Sequence, residues 1–169
     1  MDERIWTNTS PEPGQRADYP GLTVTCDAPG GAQMISGDLE AALAVLAPGA
    51  PVLGCGAPAP QGPHAIRVAR DRAILVTPAP LVVQPGWHGS YALSLADDLY
   101  ATIILSGPRA DEIASACTAT PLDGSSASAA TLFAGVGALV TRRGGTLAVR
   151  VQWPEAASLW AALARHAGA

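Results

Sequence analysis

Apolar and polar positions change their spacing several times along the chain, and each change marks an element. Leu22, Val24 and Cys26 alternate with Thr23 and Thr25, as in a strand with one buried face. After Pro29-Gly30-Gly31 the piece Gln33-Met34-Ile35 is extended again, and the two read as a hairpin with a long loop. Leu39, Ala42, Leu43 and Leu46 fall at i, i+3, i+4 and i+7, one face of a helix. Ser36 or Asp38 caps its start, and Pro48-Gly49 stops it. Residues 65–68 and 73–76 predict two strands around Arg70-Asp71-Arg72. Pro78, Pro80 and Pro85 then limit Leu81-Val82-Val83 to an edge strand at most. Residues 91–95 and 101–105 flank Asp97-Asp98 and read as an antiparallel pair.

Gly107-Pro108 opens a second helix, with Asp111 and Glu112 in its first turn and Ala110, Ile113, Ala114 and Cys117 as its apolar stripe. The low-complexity stretch 125–130 reads as mobile. Residues 131–140 and 146–151 form extended pieces around Arg142-Arg143-Gly144-Gly145, and Leu147, Val149 and Val151 alternate with Ala148 and Arg150, as in a half-buried strand. A last helix begins at Pro154, with Ala156, Leu159, Trp160, Leu163 and Ala167 on its apolar face. The order strand, strand, helix, strand, strand, helix over residues 90–167 predicts a ferredoxin-like split βαβ module, with helices on one side of an antiparallel sheet. Three parts follow: a loose N-terminal arm (1–20), a first half-module (21–89) and a second ferredoxin-like module (90–169), packed as one compact unit. The class is α+β. Residues 47–63, dominated by Pro, Gly and Ala, read as an internal linker or long surface loop.

The composition supports a folded chain: of 169 residues 49% are hydrophobic and 14% charged, which excludes full disorder. All ten basic residues are arginine, and the net charge of −4 argues against a nucleic-acid binder. No apolar run is long enough to span a bilayer, and the first residues lack a secretory pattern, so no membrane association is expected. Cys26, Cys55 and Cys117 are far apart, without zinc-finger spacing, and read as free thiols in a reducing compartment, by default the cytoplasm.

Candidate chemistry is sparse. Gly54-Cys55-Gly56 and Gly135-Val136-Gly137 each lack the third glycine of a dinucleotide fingerprint and read as loop or bulge glycines. No lysine exists for a nucleoside-triphosphate loop. Asp97-Asp98 and Asp111-Glu112 are adjacent pairs whose side chains diverge, unsuited to flanking one bond. Among the histidines, His88 in Trp87-His88-Gly89 has the setting most suited to line a pocket, or simply bonds backbone as a loop imidazole. Arg142-Arg143 either clamps an anion or is a solvated turn. Trp6, beside Ile5, either clips onto the chain's own surface or anchors into another subunit. No catalytic residue and no metal site is assigned.

From Ala96 the chain runs Ala-Asp-Asp-Leu-Tyr-Ala-Thr-Ile-Ile-Leu-Ser-Gly-Pro-Arg-Ala to Ala110. Pro121-Leu122-Asp123, then Thr131-Leu132-Phe133-Ala134-Gly135-Val136, then Arg150 and Leu159-Trp160 follow in order. This series, over roughly residues 70–167, resembles the gamma subunit of heterotetrameric sarcosine oxidase, a relative of the folate-binding aminomethyltransferase-like modules. The chain departs from that pattern at Gln152-Trp153-Pro154, where the family often has Arg-Ser, and residues 1–60 do not align. The resemblance implies a non-catalytic accessory subunit of a flavin-dependent sarcosine (N-methyl-amine) oxidase, packed beside larger flavoprotein subunits. It places flavin (FAD/FMN), NAD and tetrahydrofolate on those partners and none on this chain. Trp6, Trp87 and Trp153 are then the candidate interface residues. A free-standing folate-type small-molecule binder or one-carbon transferase, with a pocket around Trp87, His88 and Arg142, is the alternative.

Overall fold

The computed structural model describes residues 10–168. The first strands are β1 (Arg16–Tyr19), β2 (Leu22–Cys26) and β3 (Gly31–Gly37), followed by helix α1 (Leu39–Leu46). Next come β4 (Val52–Leu53), β5 (His64–Ala69), β6 (Arg72–Thr77), β7 (Gly86–His88), β8 (Tyr91–Leu95) and β9 (Tyr100–Ser106). Helix α2 (Ala110–Cys117) leads to β10 (Ala130–Phe133), β11 (Val136–Arg143) and β12 (Thr146–Gln152). A 3₁₀ turn, Trp153–Glu155, then enters α3 (Ala156–Ala167).

The strands form two six-stranded sheets, ordered β1-β2-β9-β12-β11-β10 and β4-β5-β6-β3-β8-β7. Every pairing is antiparallel except β4 with β5. The class is α+β, as the pattern predicts. Helices α2 and α3 cover the outer face of the first sheet, where Ile113, Cys117, Leu159 and Leu163 pack with Ile103, Leu105, Val149 and Val151. Helix α1 covers the outer face of the second, its Leu39, Ala42 and Leu43 packing with Ile35, Leu75 and Leu93. The Asp38 carboxylate accepts from the Ala41 N–H at 3.0 Å, so Asp38 is the cap that starts this helix. The inner faces meet through Ile66 and Ile74 of one sheet and Leu139 of the other, with Ala129 between them. Both sheets are thus covered on both faces.

Strand pairing differs from the sequence expectation wherever it is non-local. β2 pairs with β1 and β9, β3 with β6 and β8, so the expected hairpin of residues 22–35 is split between two sheets. β8 and β9, expected side by side, also lie in different sheets, and the ferredoxin-like module that needs their pairing is not formed by residues 90–167. The sheets cross the expected boundaries too: β1, from the predicted arm, and β2 join the C-terminal strands, while β8 completes the first-half sheet. Residues 81–83 form no strand.

Two stretches read as loops are stitching segments. Gly56 and Ala59 donate their backbone N–H groups to Val140 and Arg142 carbonyls, and Arg142 N–H donates to Ala57, so residues 56–59 line the free edge of β11 beyond β10. The stretch 125–130 crosses between the sheets: Ser128 Oγ donates to the Val68 carbonyl at 3.1 Å, Ala129 N–H to Arg67, and Ala129 is fully buried. Gly54 is required where these segments meet, because a Cβ there would overlap the Ser126 carbonyl.

Candidate functional site

Strand alternation on β12 sends Leu147, Val149 and Val151 toward the helices and Ala148 and Arg150 toward the second sheet. Because that inner face is covered, Arg150 is only 7% exposed, where the sequence pattern makes β12 half-buried. Its register neighbours are Thr102 on β9 and Leu139 on β11. Leu139, Thr141 and Arg143 share one face of β11, and Arg142 points the other way, to an ion pair with Asp111 of α2 at 2.7 Å. Arg150 Nη1 donates to Thr141 Oγ1 at 3.1 Å. That neutral hydroxyl is the guanidinium's one hydrogen-bond partner among the described residues.

From the second sheet, β5 contributes His64, 5% exposed, in register with Val76 of β6. His64 Nδ1 lies 2.9 Å from the Gly62 carbonyl and therefore carries the ring proton in the neutral form. Its Nε2 is left as a buried lone pair without a partner. His64 and Arg150 line one cavity of about 680 Å³ between the sheets, together with Asp97, Tyr100, Thr102 and Arg143. At its wall Arg143 pairs with Asp27 at 2.6 Å, and Asp97 Oδ1 accepts from the Ala32 N–H at 2.7 Å and from Gln33 Nε2 at 3.4 Å.

Burial dominates the electrostatics. Burial first, with the Arg143 cation adding to it and Asp27 partly opposing, lowers the Arg150 pKa from 12.5 to about 10. Burial likewise pushes His64 below its ordinary value, the Gly62 hydrogen bond opposes, and Arg150 and Arg143 add to the lowering. The Tyr100 phenol is raised by burial and stays neutral. Two residues of the wall therefore hold unused hydrogen-bonding capacity, the Arg150 cation its donors and the neutral His64 ring its Nε2 acceptor.

Of the candidate residues read from the sequence, Arg143 lies at this cavity, and Trp87, His88, Arg142 and Trp153 lie elsewhere. Trp87 is 70% exposed on the edge strand β7. His88 beside it stacks on Tyr91, ring centroids 5.4 Å apart, with Nε2 2.9 Å from the Gln84 carbonyl. Arg142 belongs to the other sheet, so Trp87 and His88 are brought together and Arg142 is not. Trp153 is half-buried against the helix-side core of the first sheet. Trp6 lies outside the described residues. Cys26, Cys55 and Cys117 are buried free thiols. Among the described residues no group of His, Cys, Asp or Glu is arranged to hold a metal ion, and no helix is long and apolar enough to cross a membrane. His64 was missed because a lone histidine after a Pro-rich loop carries no signal of which way its strand turns it; Arg143 was read only together with Arg142, as an anion clamp or a solvated turn, and the strand sends the two to opposite faces.

No family model and no curated protein sequence matches the chain. Its fold is similar to that of a chain in the structure of the heterotetrameric sarcosine oxidase from Corynebacterium sp. U-96 in complex with pyrrole 2-carboxylate. The TM-score is 0.66, the identity 14%, and the match covers 95% of this chain and 90% of that one.

Proposed function

We propose that this chain is a small accessory subunit of a flavin-dependent sarcosine (N-methyl-amine) oxidase complex, of the gamma type, with a structural and interface role. The observation that carries the reading is a fold likeness running over nearly the whole of both chains, to a chain of an oxidase made of several subunits. In this reading the larger flavoprotein subunits hold flavin and NAD, tetrahydrofolate accepts the one-carbon unit there, and catalysis is theirs. The exposed indole of Trp87 on an unpaired strand edge has the character of an interface anchor, and Trp153 offers a half-buried second one.

Co-expression with the flavoprotein chains of such an oxidase tests the reading. The wild-type chain should co-purify with them, and a folded Trp87→Ser chain should be retained at least about tenfold less, the effect of losing one hot-spot aromatic. Absence of any complex with the wild-type chain would refute the subunit role.

A further inference from the structure

We propose that the cavity between the two sheets is a binding site for a small organic acid, whose carboxylate is held by Arg150 and whose adjacent O–H or N–H donates to Nε2 of His64. The site stands on the geometry of this chain and does not depend on the subunit reading.

Two independent observations concern residues that line the same space. Arg150 is more than nine-tenths buried, yet its guanidinium uses one of its five N–H donors, on the neutral hydroxyl of Thr141. Buried charges in folded proteins are normally paired, and the acidic groups on this wall are engaged: Asp27 holds Arg143, and Asp97 accepts from Ala32 and Gln33. His64, also more than nine-tenths buried, lines the same cavity, and its buried Nε2 has no hydrogen-bond partner. A bare anion would satisfy Arg150 alone. A molecule with an acceptor anion beside a donor satisfies both, which is the pattern of a hydroxy acid or an amino acid. A planar carboxylate also matches the guanidinium fork better than a point charge does. The volume of about 680 Å³ admits ligands well beyond the smallest of these acids.

The test uses the full chain with ¹⁵N-detected arginine and histidine resonances, titrated at constant ionic strength with glycolate, acetate and inorganic phosphate. Glycolate should saturate, shifting the Arg150 side chain and His64 Nε2, and should bind about 3- to 10-fold tighter than acetate, the contribution of one added hydrogen bond. His64→Phe should erase that preference, and Arg150→Gln should weaken both acids by about tenfold or more. Should Arg150→Gln fail to fold, the wild-type titration still decides. Absence of saturable shifts would overturn the site. So would equal affinity for all three anions, or uptake of a proton by His64 on binding, which would make Nε2 a donor.

Discussion

Replacing Arg150 by methionine separates a ligand-binding arginine from a structural one. Arg150 lies at an inner-sheet position with Thr141 as its partner. Its pKa falls from 12.5 to about 10, so at neutral pH the folded chain carries the charge at a cost of about 3 kcal/mol relative to the unfolded chain. The sign is that of a base with a depressed pKa: the cost is present below pH 10 and fades as the pH rises past it, where the folded chain releases the proton first. Methionine has a similar length without the charge and removes that cost. It also strands the Thr141 hydroxyl, losing about 1 kcal/mol. Arg150→Met should therefore leave stability unchanged or raise it by about 1–2 kcal/mol, within the range for replacing buried ions by apolar groups. With a urea m-value of about 2 kcal/mol/M, the midpoint moves up by as much as about 1 M, with m unchanged. The double variant Thr141→Val, Arg150→Met should be at least as stable as the single one. A loss of about 3 kcal/mol or more, the signature of breaking a paired buried charge, would refute the reasoning and make Arg150 a structural residue.

Other perturbations report on the frame around the cavity. Leu159→Ala empties a fully buried position between α3 and the first sheet and should cost about 2–5 kcal/mol in urea unfolding. A loss under about 1 kcal/mol would mean that α3 is not docked there. The His64 pKa is depressed by burial, so the unfolded chain binds its proton first on acidification. Stability should fall as the pH drops through about 6.5, with a shallower slope in His64→Gln, measured as the urea midpoint across pH 5–8. The three cysteines, buried and with thiol pKa values raised by burial, should resist a thiol reagent in native buffer and react together on unfolding. Reaction of one thiol in native buffer at the unfolded rate would contradict its placement.

The helices were legible because periodicity and stop signals are local. Leu39, Ala42 and Leu43, Ile113 and Cys117, and Leu159 and Leu163 are buried where their spacing puts them, although Trp160 is only half-buried. Pairing was not legible, because alternation says which residues share a face and nothing about which strand lies alongside. The turn at Asp97-Asp98 looks like a hairpin tip, yet it carries the chain from one sheet to the other while Asp97 caps the Ala32 N–H. The same limit hid the cavity. The sequence separates Arg150 from Val149 and Val151 correctly, but a face with an arginine reads as solvent-facing unless a second sheet is known to cover it. Arg142 and Arg143 differ only by the half-turn of a strand, which sends one to Asp111 on the helix side and the other to Asp27 at the cavity wall. Residues 56–59 and 125–130 read as loops because their order comes from hydrogen bonds to distant strands and from Gly54, where neighbouring backbone leaves no room for a side chain.

The central claim is that this chain works inside a larger flavoprotein assembly. The most direct measurement is a gentle purification of the tagged chain from its native host, with the visible spectrum and the masses of the intact species recorded on the same sample. The account predicts a yellow complex in which the 17.1 kDa chain is bound to larger flavin-bearing chains. A colourless sample containing the 17.1 kDa chain alone would contradict it.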